Sequence, residues 1–252
     1  AFNMRNPKLS DKRVRQALAH VVDYDYMLNS VMQGLAQRIN SPVNPAKSFY
    51  AKELEAYDYN IDKAKSLLAE AGWKDTDGNG IVDKVLNGKK TDLTLDLMTG
   101  IKAKVNELAS NSIQETALRA GIKINIVGVD IAKLHAETGK GQFETAIYGA
   151  ALDPGLVELY QSYHSASLAP NGDNRTGFTQ GDSVIVAIRT TEDEATRNAL
   201  YRKAQAIIHE EVPEVYLYAP LQRIVVAKRF DYVITANRPG YYEQLFKLKQ
   251  NQ

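Results

Sequence analysis

Leu93-Thr94-Leu95-Asp96-Leu97, Ile122-Lys123-Ile124-Asn125-Ile126 and Ala146-Ile147-Tyr148 are short runs that read as strands, the first two alternating apolar with polar residues. Between them lie two stretches of helical period. Val105, Leu108, Ala109, Ile113, Ala117 and Leu118 share one face of a helix that Gly121 ends, and a shorter helix runs from about Ile131 to Glu137. The order is β-α-β-α-β, the sequence mark of right-handed crossovers and a largely parallel sheet. The predicted fold class is therefore α/β, a βαβαβ sheet flanked by helices.

Toward the amino terminus, Ser10 or Asp11 is placed to cap a helix carrying Val14, Ala17, Leu18, Val21 and Val22 on one face. Asp23 caps a second helix with Tyr26, Met27, Val31 and Met32, which Gly34 stops. After a loop with Pro42 and Pro45, Asn60 caps a third, whose stripe is Ala64, Leu67, Leu68 and Ala71 and whose C′ residue is Gly72. Toward the carboxyl terminus, Asp153-Pro154-Gly155 breaks the alternation before a helix through Val157 and Tyr160. A Ser-, Asn- and Gly-rich loop spans 165–181, two helices follow, and Pro213 precedes a strand-like Val215 to Tyr218. After Pro220 the pattern changes to short alternating runs and a polar tail, which sets a boundary there.

With 252 residues and 44% apolar composition the chain is long enough for a real core. Thirty-one Lys plus Arg against 30 Asp plus Glu leave a net charge of +1, so nothing electrostatic recommends a nucleic-acid partner. The absence of cysteine excludes disulfides, thiolate metal sites and a Cys nucleophile. No run approaches the roughly 20 apolar residues that span a bilayer. Residues 1–7 lack the apolar core of a secretory signal, so the chain is expected to start in mid-fold, with any targeting segment upstream.

Several stretches, in order, resemble the dipeptide- and oligopeptide-binding proteins of extracellular solute-binding protein family 5. They are Phe2-Asn3 with Leu9-Ser10-Asp11-Lys12-Arg13-Val14-Arg15-Gln16-Ala17-Leu18; Tyr57-Asp58-Tyr59-Asn60 leading to Ala69-Glu70-Ala71-Gly72-Trp73; Ala120-Gly121-Ile122; and Asp193 to Arg197 with Glu210-Glu211-Val212-Pro213. The resemblance implies a type II periplasmic-binding-protein-like lobe, half of a receptor about twice this length that closes on its ligand at a hinge. Residues 1–220 would be the second, ligand-binding lobe, and 221–252 a return segment that packs on the missing first lobe. It further implies a small solute such as a peptide as ligand, an ABC permease as partner, no required cofactor, no catalysis, and a periplasmic or cell-surface location, with any lipid anchor upstream.

Three stretches are candidate sites. Asp75-Thr76-Asp77-Gly78-Asn79-Gly80-Ile81-Val82-Asp83 fits the early positions of an EF-hand loop, with Asp75, Asp77, Asn79, the Ile81 carbonyl and Asp83 as ligands of a structural Ca2+. The twelfth position is Leu86, where a bidentate Glu belongs, and the alternative is a polar turn. The second is the strand end Tyr148-Gly149-Ala150-Ala151-Leu152-Asp153, since ligands of open α/β sheets lie beyond the strands' carboxyl ends. In the resembled peptide receptors an acidic residue stands four positions before the proline and anchors the ligand's amino terminus. Here that position is Ala150, which shifts the expected ligand toward a glycan, a peptide derivative or a metal chelate. The alternative is packing by Tyr148 and Leu152. The third is the loop 171–178, where Arg175 would take a carboxylate and Phe178 would stack on a ligand ring, or which is simply a solvated Gly-rich loop.

The leading function is the substrate-binding component of an importer. An α/β hydrolase or carbohydrate-active enzyme, or a protein-interaction module on the same fold, is the alternative. The four histidines stand in no metal-ligand spacing, and no Gly-x-Ser-x-Gly elbow or phosphate-binding loop occurs.

Overall fold

A computed structural model of the chain describes residues 1–149, 157–221, 225–231 and 249–250. Asp11 caps α1 (Lys12–His20) by accepting from the Arg13 amide, and Val14, Ala17 and Leu18 are buried as the spacing predicts. Asp23 accepts from the Tyr26 amide at 2.9 Å, but the helix it starts widens to π geometry over Tyr26–Val31. β1 (Ala36–Gln37) follows. α2 (Ile61–Glu70) begins at Asn60, whose side chain accepts from the Lys63 amide, and ends at Gly72 with φ +85°.

A hairpin of β2 (Asp83–Leu86) and β3 (Lys89–Asp92) was not anticipated by the sequence reading. Its turn is Asn87-Gly88, with both φ angles positive (51° and 78°), the pairing a two-residue hairpin turn favours.

The parallel sheet forms as predicted. β4 (Thr94–Gly100) is central, crosses through α3 (Lys104–Arg119) to β5 (Lys123–Val129) and through α4 (Ile131–Gly139) to β6 (Thr145–Ile147), giving the order β5-β4-β6. Leu95 stands opposite Ile124 and Leu97 opposite Ile126. Leu93 and Leu95 are fully buried, in one core with Leu68, Trp73, Ala117, Ile122 and Val212. Leu118 is a correction: it is 55% exposed, because α3 packs through Ala109 and Ala117 and the next residue turns away by about 100°.

The helix expected through Val157 is confined to α5 (Tyr160–Tyr163). α6 (Asp182–Thr190) and α7 (Glu194–Glu211) pack on it, with Tyr163, Ile185, Ile188, Tyr201 and Ile208 in a second core. Val215–Tyr218 is extended but unpaired among the described residues; strand pairing starts only at β7 (Ala219–Pro220), antiparallel to β1. Beyond Pro220, β8 (Phe230–Asp231) pairs with β9 (Lys249–Gln250).

α1 and the end of α7 are joined by Arg15, whose side chain is 1% exposed. It donates to the carbonyls of Leu9, Ser10, Glu211 and Val212 at 2.6–3.2 Å. Val212 adopts a left-handed conformation (φ 46°, ψ 58°), costly for a β-branched residue. Its carbonyl is one of those Arg15 holds, so the strained turn out of α7 is pinned where the chain redirects toward residues 213–218.

Candidate functional site

A cleft of about 810 Å³ opens beside the carboxyl end of β6. One wall is apolar: Val22, Ile39, Pro42, Ile113, Val215 and Leu217. Val215 and Leu217 also pack against the cluster around Met27 and Ala109, so alternation along 214–218 puts apolar residues on the core. The polar wall carries His135, Tyr148, Tyr163, Arg175, Glu214 and Tyr216.

The polar wall is built around Glu214. Its carboxylate accepts the Tyr148 hydroxyl at 3.1 Å and the Tyr163 hydroxyl at 3.0 Å, and the Tyr163 and Tyr216 hydroxyls are 3.1 Å apart. Burial first, and then the Glu214 charge, push the Tyr148, Tyr163 and Tyr216 phenols upward. They are neutral donors throughout the working range of a protein, a shift away from general acid–base use at neutral pH.

Of the predicted strand-end residues, Tyr148 and Gly149 line the cleft. Ala150, Ala151, Leu152 and Asp153 lie outside the described residues. Arg175 also lines it: its Nη1 donates to the Thr138 hydroxyl at 2.9 Å, and its guanidinium carbon lies 5.3 Å from the Tyr148 ring centroid. Phe178 is a correction. It is fully buried beneath the loop, edge-on to Tyr163 at 5.8 Å, because its apolar ring completes the core of α5, α6 and α7. A ring so placed cannot stack on a ligand, and the loop is not simply solvated either.

Sequence reasoning missed Tyr163, Glu214 and Tyr216. The signal was there in Glu214-Val215-Tyr216-Leu217-Tyr218, polar or amphipathic residues alternating with apolar ones directly after Pro213.

The acidic loop folds as a turn closed by its own side chains. Asp75, Asp77 and Asp83 do converge, with one oxygen of each within 4.8 Å of the others. Asp75 accepts the amides of Gly78, Asn79 and Gly80, Asn79 accepts the Ile81 amide, and Asp83 accepts the Thr76 amide and hydroxyl. The Lys90 ammonium, from β3, lies 2.7 Å from Asp77 and 3.4 Å from Asp83. Lys90 holds the Asp77 carboxyl below its usual range, and the Thr76 amide does the same for Asp83. A lysine thus supplies the positive charge that the calcium expectation assigned to an ion, and Leu86 at the twelfth position is committed to β2. The three carboxylates stand close enough to share an ion, and in this structure Lys90 neutralises two of them; the polar-turn reading accounts for these contacts.

Comparison with known proteins adds three findings. The family model described as bacterial extracellular solute-binding proteins, family 5, middle part, matches residues 1–169. The oligopeptide-binding protein AppA of Bacillus subtilis is 28% identical over 91% of this chain and 42% of that protein, and heme-binding protein A of Haemophilus influenzae 26% over 84% and 37%. The structure of AppA in complex with a nonapeptide superposes with a TM-score of 0.80 at 29% identity, covering 87% of this chain and 44% of that one. The chain therefore spans about two fifths of the length of the curated relatives it matches. The fold is that of one lobe of a type II periplasmic-binding-protein-like receptor.

Proposed function

Because the chain belongs to the bacterial extracellular solute-binding proteins of family 5, we propose that it is the carboxy-terminal half of a receptor that binds a peptide or similar small solute and delivers it to the permease of an ABC-type importer. Residues 1–220 make the ligand-binding lobe and 221–252 return to the first lobe. The observation that carries this reading is the cleft of about 810 Å³, lined by aliphatic side chains together with hydroxylated and charged ones. Such a surface suits a ligand gripped by shape and hydrogen bonds and completed by a second lobe closing over it.

The relatives' names support the solute class, oligopeptides for one and heme for another. They are solute-binding proteins rather than enzymes, which speaks against the hydrolase alternative. The protein works outside the cytoplasmic membrane in this reading; no described helix is long and apolar enough to cross one. Ligand binding itself calls on no cofactor.

The test is thermal unfolding of the intact two-lobed receptor against short peptides, oligosaccharides and metal chelates. A ligand present at about a hundred times its Kd raises stability by about 2.7 kcal/mol, a shift of several degrees. No shift with any member of the panel would remove the basis of the reading.

A further inference from the structure

We infer that Glu214 is a cation-binding group of the cleft, and that the ligand presents a primary ammonium to it. The inference rests on the receptor reading and names a chemical feature of the solute.

The Glu214 carboxylate is half-buried and lines the cleft. Two of its roughly four acceptor positions are filled, by the hydroxyls of Tyr148 and Tyr163, which fix its orientation without neutralising it. Among the described residues no side-chain cation lies within ion-pair distance of it. Arg175, on the same wall, is directed to Thr138 and the Tyr148 ring.

A ligand that fills the cleft strips water from this carboxylate. A neutral group placed there leaves a desolvated, unpaired charge, whereas an ammonium pairs with it in surroundings made less polar by the aliphatic side chains that also line the cleft. The tyrosines stay protonated, so they add donors to the carboxylate and no competing negative charge. The carboxylate missing at Ala150, which the sequence reading took against an ammonium ligand, is thus met by one on the segment leading out of α7.

An ammonium can come from a peptide's amino terminus or from a lysine side chain. The test uses the intact receptor near pH 7 and three probes in isothermal titration: tetraglycine, N-acetyl-tetraglycine, and N-acetyl-tetraglycine with lysine at its second position. The expected result is that one ammonium-bearing probe binds at least about tenfold more tightly than N-acetyl-tetraglycine, that Glu214→Gln abolishes the difference, and that Glu214→Asp retains it. Which probe wins identifies the source of the ammonium. Equal affinity of wild type for charged and neutral probes overturns the inference, even should the Gln variant fail to fold. So does a preference that survives in Glu214→Gln. Both outcomes leave the receptor reading standing, whereas failure of all three probes to bind counts against that reading and the inference together.

Discussion

Replacing Arg15 by Met removes the buried member of the side chains that tie α1 to the end of α7, leaving the more exposed Lys12 and Gln16 contacts to Glu210 in place, while keeping a similar apolar volume. Four backbone carbonyls lose a charged donor: Leu9 and Ser10 to Nη1, Glu211 and Val212 to Nε. Leaving a buried acceptor without its donor costs on the order of 1–3 kcal/mol each, and breaking one side of a buried charged cluster about 3–5 kcal/mol in all. Two circumstances hold the expectation to the lower end. Glu211 is 21% exposed and regains water, and the desolvation that pushes the guanidinium's own pKa down is relieved when it is removed. The expected loss is about 3 kcal/mol, or on the order of 10 °C in Tm for a chain of this size. Trp73, the sole tryptophan, is 2% exposed in the core that also contains Val14 and Val212, so its fluorescence in a urea titration reports the loss directly. Arg15→Lys keeps the charge with fewer, less spread donors and should fall between. A loss below about 1 kcal/mol for the Met variant would show that water replaces Arg15 at these carbonyls, and the account of the α1–α7 joint would be wrong.

Two further outcomes are expected. The carboxyls of Asp11, Asp77, Asp83 and Asp193 are held below their ordinary value, by Arg13, by Lys90, by the Thr76 amide and by the Thr196 hydroxyl respectively. A depressed folded pKa stabilises above the unfolded pKa of about 3.9 and is lost as pH falls through the folded value, so Tm should be level from about pH 7 to 5 and drop below about pH 4; a Tm that holds level to about pH 2 would contradict these pairings. Calcium at about 1 mM, enough to fill ordinary extracellular calcium modules, should leave Tm unchanged, because Lys90 already occupies the carboxylates; a rise of several degrees would show that the ion displaces the lysine.

What the sequence disclosed follows from how local each signal is. Asp11 and Asn60 each reach an amide two or three residues away, so these helix starts could be read without knowing anything distant. The parallel sheet was legible because Leu93, Leu95 and Leu97 repeat with period two and are separated from Ile122 and Ile124 by one helix length. Phe178 was misjudged for the opposite reason: an aromatic residue in a Gly-rich loop looks exposed until α5, α6 and α7 close around it, and that closure involves residues on both sides of the loop. Lys90 was overlooked in the calcium reading because its approach to Asp77 depends on the β2–β3 hairpin, whose Asn87-Gly88 turn was not used.

The cleft was the least legible feature because its polar wall is assembled from separate stretches. Tyr148 follows β6, Tyr163 ends α5, Arg175 lies in the loop before α6, and Glu214 and Tyr216 follow α7; no spacing rule connects them. What connects them is the path of the chain across the edge of the sheet. Phe2 bridges Thr145 on β6 and donates its amide to the Pro213 carbonyl at 2.9 Å, so the segment that carries Glu214 is set beside β6 by backbone contacts. Arg15 fixes the turn one residue before Pro213 through the Val212 carbonyl. The Glu214 carboxylate is therefore positioned by a continuous series of contacts from the buried α1–α7 joint to the cleft wall. Arg15 replacements that weaken the joint but leave the chain folded should loosen the Tyr148 and Tyr163 hydrogen bonds to Glu214, and so reduce discrimination between charged and neutral ligands before they abolish binding.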